Sequence, residues 1–199
     1  MTSILQSLGR TISAGVVLLI VIVAVAGALS GQMVRLGDHA YWQFFMRWLH
    51  ILSGVMWVGL LYYLNFVQIP TVPKIEPAEH RAAISKFIMP NVLFWFRYGA
   101  VATVATGLLL AWMNGYIVQA LLLQNGAYPI GIGMWIALIM AYNVWFIIWP
   151  NQKKVLGLVQ ASAEDKQKAA RVALLTSRVN TLLSIPMLYM MAAQSHGGL

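Results

Sequence analysis

The chain has no cysteine among its 199 residues. That removes disulfides, thiolate metal sites, iron–sulfur clusters and covalent haem attachment through a C-x-x-C-H motif. Charge is scarce: 9% of residues are Asp, Glu, Lys or Arg, where a soluble domain carries about a quarter. Only five are acidic, and all of them, Asp38, Glu76, Glu79, Glu164 and Asp165, fall in connections between apolar runs. A proton pump wants a carboxylate inside the membrane, and none is present in these runs. H-E-x-x-H, a P-loop and a serine-nucleophile elbow are absent as well.

Long apolar runs fill the remaining space. The composition is 60% hydrophobic with mean hydropathy +0.74. Five segments reach the ~20 residues needed to cross ~30 Å of hydrocarbon: residues 13–31, 42–67, 92–113, 128–149 and 172–193. None alternates as a barrel strand does. The sequence predicts an all-α integral membrane bundle of about five transmembrane helices, a single domain over residues 1–199. The first run follows Arg10 and exceeds a signal-peptide core in length, so it is read as a retained helix.

The net charge of +8 does not point to nucleic acid, because no recognition motif accompanies it. The basic residues mark topology instead. Lys74, Arg81 and Lys86 lie between the second and third segments, and Lys153, Lys154, Lys166, Lys168 and Arg171 lie between the fourth and fifth. The connection NGYIVQALLLQNGAY carries no charge. The positive-inside rule then predicts a cytoplasmic N-terminus and an outer C-terminus. Within the connections, Pro77 with acidic neighbours opens one helical signal, and Ser162 with Asp165 three residues on has capping-box spacing, so the fifth helix should start before the bilayer. IVQALLL is expected to lie along the outer surface.

Candidate site residues cluster on the second segment. In WLHILSGVMWVG and its flanks, Arg47, His50, Gly54, Trp57 and Leu61 are spaced 3, 4, 3 and 4, which places them on one helix face. A histidine in hydrocarbon is costly. Three readings remain open for His50: a hydrogen bond across helices, haem or metal ligation through imidazole, and proton transfer. Gly54 leaves a gap on that face, suited to a macrocycle edge or to a helix backbone. Arg47 suits a haem propionate or snorkels to headgroups. On the third segment Gly99, Thr103 and Gly107 form a small-residue stripe. Arg97 and Arg178, at similar depths, await an anionic partner or snorkel. Ser177, Asn180, Thr181 and Ser184 form a polar stripe expected to face the interior, and Pro186 is expected to kink that helix. His80 reads as solvated; His39 and His196 would be second ligands only if their segments folded back.

The segment RWLHILSGVMWVGLLYYLNFVQIP, the pattern in FRYGAVATVATG and the run MAYNVWFIIWPNQKKVLG together resemble the membrane domain of the bacterial urate hydroxylases, over roughly residues 42–185. The W-L-H-x-x-x-G-x-x-W-x-G part is similar, more remotely, to the HemJ-type protoporphyrinogen oxidases and to CopD-type membrane proteins. The resemblance to the HemJ-type family implies haem b with His50 as axial ligand, and it carries over to His50 alone; Arg47, Gly54, Trp57, Thr103, Gly107, Arg97 and Arg178 are candidates for the surrounding pocket by their placement. The lysine associated with haem in the HemJ-type family has no counterpart in GMWIALIMAYN. The urate hydroxylases are longer and end in a cytochrome c domain, which this cysteine-free chain does not supply. The expectation is thus a haem b-binding electron-transfer protein of the bacterial inner membrane, an oxidoreductase component passing electrons between a quinone and a soluble cytochrome or complex. Its alternative is a non-catalytic accessory subunit of a larger respiratory or oxygenase complex, or a homo-oligomer. A CopD-like metal transporter is a third option, although the 11 methionines form no exposed Met-x-x-Met cluster.

Overall fold

The computed structural model describes residues 2–124 and 126–198, with the side chains of Thr2, Ser3, Ser195 and His196 outside that description. The chain is all-helical, 84% helix with no strand among the described residues. Five helices are long and apolar enough to cross a membrane: α1 (Leu8–Ser30), α2 (His39–Lys74), α3 (Ala78–Met113), α5 (Tyr128–Val155) and α6 (Ala163–His196). A short helix, α4 (Ile117–Leu121), lies in the uncharged connection.

The helices outrun the sequence-predicted segments. The second continues from 67 to Lys74, the third starts at Ala78 rather than 92, and the sixth element starts at Ala163 rather than 172. Hydropathy marks only the stretch that needs lipid, whereas backbone hydrogen bonding carries a helix on into water. α2 and α3, at 36 residues each, span roughly 54 Å at 1.5 Å per residue, well beyond the hydrocarbon. The start of α6 is the predicted cap: the Ser162 hydroxyl accepts from the Asp165 N–H at 3.1 Å. α6 runs through Pro186 as one continuous helix.

Two contact units divide the chain, residues 1–44 and 45–199. In the first, α1 exposes nearly its whole apolar surface, with Gly27 its buried residue. It ends at Gly31, whose left-handed φ of 68° closes the turn with a bond back to the Gly27 carbonyl. Such a uniformly apolar helix suits a lipid environment.

In the second unit α2, α3, α5 and α6 pack as a ring of neighbours. Hydrocarbon supplies no hydrophobic push between helices, so close approach and hydrogen bonds must do the work. α2 meets α3 where Gly99 faces the Trp57 backbone, a Cβ there lying 3.3 Å from the Trp57 nitrogen. α5 meets α6 where Gly133 faces Met190 and Met191. The Asn180 amide donates to the Met140 carbonyl at 3.0 Å, and its oxygen accepts from Asn143 at 2.8 Å. Tyr62 and Asn65 of α2 bond Ser184 and Ser177 of α6 at 2.9 and 2.8 Å. The Trp145 indole donates to the Arg97 carbonyl at 3.3 Å, joining α5 to α3. The polar stripe of α6 therefore faces inward as expected, with Asn180 and Ser184 fully buried.

Three helices share one irregularity. Tyr63–Gln68 in α2, Ile84–Ile88 in α3 and Asn143–Ile148 in α5 are π-helical. Each is followed two residues on by a proline, Pro70, Pro90 and Pro150. Proline lacks an N–H and its ring collides with the carbonyl four residues back. Here the residue before each proline bonds five back instead, Ile69 to Leu64, Met89 to Ile84 and Trp149 to Val144. The widened turn absorbs the misfit and the helix continues.

α4 is seated on α5. The Trp135 indole donates to the Leu121 carbonyl at 3.0 Å, and Gly131 lies under the Ala120 carbonyl so closely that a Cβ would overlap it. Gly131→Ala should dislodge α4 and cost about 1–3 kcal/mol by overpacking, whereas Gly59→Ala, which meets open space, should be neutral; thermal unfolding in detergent measures both. By the same assay Asn180→Leu should cost about 1–3 kcal/mol, because it strands the Asn143 amide in the core.

Candidate functional site

The face predicted around His50 resolves into distinct environments. His50 is half-buried between α2 and α3. Its Nδ1 lies 2.9 Å from the Thr103 carbonyl and 3.3 Å from the Thr106 hydroxyl. A carbonyl only accepts, so Nδ1 carries the proton and donates to it. Both threonine hydroxyls turn back onto their own helix, Thr103 to the Gly99 carbonyl at 2.7 Å and Thr106 to the Ala102 carbonyl at 2.6 Å. The Thr103 carbonyl accepts from the His50 Nδ1–H and also, at 3.2 Å, from the Thr106 hydroxyl. The glycine that makes room is Gly107: a Cβ there would stand 2.8 Å from His50 Cε1. Sequence spacing assigned the gap to Gly54, which faces the Thr103 methyl at 3.9 Å instead. Spacing along one helix cannot show which partner glycine a side chain will meet.

Thr103, Gly107 and His50 border a void of about 30 Å³, lined also by Val104, Leu108, Met134 and Met191. That is room for about one water. Trp57 stands apart from it, fully buried in the apolar core with Leu61, Phe96 and Met140. Its Nε1 has no partner among the described residues. Arg47 is exposed toward the α4 region, where its charge acts on Tyr116; burial pushes that phenol above its ordinary value and Arg47 pulls it partly back. Arg97 meets an aromatic ring rather than an anion. Its guanidinium lies 3.3 Å from the Trp149 ring centroid and 5.6 Å from that of Trp145, and its Nε donates to the Leu93 carbonyl. Cation–π contact of this kind is worth about 0.5–2 kcal/mol. Arg178 is exposed on α6. The structure thus brings together His50, Thr103 and Gly107, with Gly54 one contact away, and separates Trp57, Arg97, Arg178 and Arg47 from them.

The donor chemistry of His50 fits an iron ligand. Metal-ligating histidines donate their other ring N–H to a carbonyl or carboxylate, which fixes the tautomer and frees the remaining nitrogen. The space does not fit the group, since a cofactor pocket needs at least about 300 Å³. Among the described residues no cluster of three His, Asp or Glu is placed to hold a metal. His80 is exposed, His39 belongs to the unit of residues 1–44, and the His196 side chain lies outside the described residues.

Asn65, Gln68 and Asn143 read from the sequence as polar residues near the ends of α2 and α5 on the side of the basic connections, and the structure adds a cavity beside Gln68. At the end of the bundle that carries the basic residues, a cavity of about 340 Å³ opens among α2, α3, α5 and α6. Gln68 lines it, 9% exposed, with its Nε2 donating to the Met89 sulfur and its Oε1 unpartnered. The signal available was Gln68 just ahead of Ile69-Pro70, a polar residue in an apolar run beside a helix misfit.

These helices define a multi-pass helical membrane protein. Residues 108–198 match the sequence model of the family described as urate oxidase N-terminal, which shows the resemblance over the end of α3, α4, α5 and α6. The run MAYNVWFIIWPNQKKVLG lies inside the match, and the W-L-H motif with His50 lies before it. No curated protein matches the chain, and no solved structure does.

Because the imidazole fills the Gly107 notch, Gly107→Ala should push His50 off the Thr103 carbonyl. Nitrogen-15 NMR of histidine-labelled protein should show the Nδ1–H tautomer in the native chain and a mixture of tautomers in the variant.

Proposed function

We propose that the chain is a membrane-embedded subunit of an oxidoreductase assembly related to the urate hydroxylase membrane domain, and that it serves there as an accessory helical module. The observation that carries this is the use made of His50. Its Nδ1–H ties α2 to α3, and the void beside it holds about one water. A histidine so placed earns its position in hydrocarbon by pairing helices, as polar side chains do in membranes. The family match over residues 108–198 supports the kind of assembly. The basic connections support a cytoplasmic N-terminus and an outer C-terminus in a bacterial inner membrane.

A second reading, haem b held by His50 in an electron-transfer protein, is favoured by one feature. The Nδ1–H bond to Thr103 leaves Nε2 as an acceptor in the tautomer that iron requires. A reduced-minus-oxidised spectrum separates the two. Protein expressed with ample haem and purified in mild detergent should show no Soret band, and should co-purify with a membrane partner in fixed ratio. A stoichiometric haem signal that disappears in His50→Ala would replace the first reading with the second.

A further inference from the structure

We propose that Arg97 and Lys153, gathered at the Trp149 ring, bind the headgroup phosphate of a net-anionic phospholipid at the basic end of the bundle. The site is separate from His50, and the argument does not rest on the function proposed above.

Arg97 lies five residues into the apolar run that begins at residue 92, at a depth where a bare cation is costly. It is held there rather than loose. Its Nε donates to the Leu93 carbonyl at 3.0 Å, one turn back toward the basic end, and its Cζ stands 3.3 Å from the Trp149 ring centroid. At that distance an edge-on guanidinium would drive an N–H into the ring, so the group lies flat on it. Stacking occupies the face of the guanidinium and leaves its edge. Arginine carries five N–H donors in that plane, and Nε accounts for one. The Nη1 and Nη2 donors make no hydrogen bond or ion pair among the described residues, and neither nitrogen is enclosed by protein atoms. A fixed, open fork of donors matches a pair of phosphate oxygens.

Charge and surroundings select the occupant. Lys153, one turn beyond Trp149 on α5, places its Nζ 5.9 Å from the same ring centroid. Two cations thus meet at one indole, and among the described residues neither pairs with a carboxylate. A zwitterionic headgroup would add a third cation, whereas a net-anionic one supplies the missing charge. The neighbouring surface suits the rest of a lipid. Phe94 and Tyr98 are exposed on α3 with their rings 4.7 Å apart, and Tyr98 stands edge-on to Trp145 at 5.8 Å. Aromatic rings of this kind mark the headgroup level of a bilayer, and basic pockets between membrane helices hold acidic headgroups there. Acyl chains can lie along the exposed rings, a contact that free inorganic phosphate cannot make.

Native mass spectrometry tests this on the full-length protein, purified in mild detergent, stripped of lipid and titrated with dioleoyl phosphatidylglycerol or dioleoyl phosphatidylcholine. Phosphatidylglycerol should be retained about tenfold better than phosphatidylcholine, which has the same acyl chains. Arg97→Gln should abolish that preference, and Lys153→Gln should cut it about threefold. Lys154→Gln removes the same charge one residue on, at an exposed position, and should leave the preference unchanged. Equal retention of the two lipids by the native protein would overturn the proposal. So would a loss in Lys154→Gln as large as in Lys153→Gln, the mark of bulk charge rather than a site. Displacement of the lipid by inorganic phosphate would also overturn it, as the mark of a simple anion site. Should Arg97→Gln fail to fold, the two lysine variants still decide, and a Lys153→Gln protein that matches the native one overturns the proposal.

Discussion

Every contact in the helical ring answers to one constraint: lipid offers helices neither water nor a hydrophobic reason to meet. Surface that would drive folding of a soluble protein is as comfortable in the bilayer as against a neighbour. What remains is close backbone approach and the pairing of polar side chains. Gly99, Gly107 and Gly133 supply the approach. His50, Tyr62, Asn65, Trp145 and Asn180 supply the pairing, so that α2–α3, α3–α5, α5–α6 and α6–α2 are each joined by a side-chain hydrogen bond. Asn180 is the most committed of these, fully buried with its nitrogen and its oxygen both engaged.

The two polar loci differ in how complete they are. Around His50 the polar groups find partners inside the protein: the imidazole proton goes to Thr103, and the threonine hydroxyls return to their own helix. Little is left for a ligand to satisfy on that side of the ring, and little space is left for it. Around Gln68 there is more space, a cavity of about 340 Å³, but the unpartnered Gln68 Oε1 is enclosed by protein atoms and does not open onto it. The residue that looked costly in the sequence proves well supported.

Much of the architecture could be read from the sequence, because length and hydropathy alone count membrane crossings. The Ser162 cap and the inward polar stripe of α6 were legible for the same reason: each is a local pattern. The site was less legible. Helical spacing correctly groups residues by face on one helix, but it is silent on the partner. Gly107 on α3, not Gly54 on α2, makes room for His50. Arg97 looked like a cation in want of an anion, and Trp149 on another helix supplies a ring face instead. Helix ends extended past their hydropathic limits because the signal for lipid and the signal for helix are different signals. The π-turns were invisible to a wheel drawn at 3.6 residues per turn, although Pro70, Pro90 and Pro150 mark where they fall.

The wide turns also divide the labour within each helix. A π-turn holds one residue more than the α-helical path needs, so everything beyond it is rotated relative to what came before. The faces of α2, α3 and α5 above and below their turns are therefore in different phase. The halves that carry the glycine contacts and His50 can keep a packing seam fixed, while the halves next to the prolines are free to turn other side chains inward. Evolution can then revise the chamber at one end without renegotiating the seam at the other.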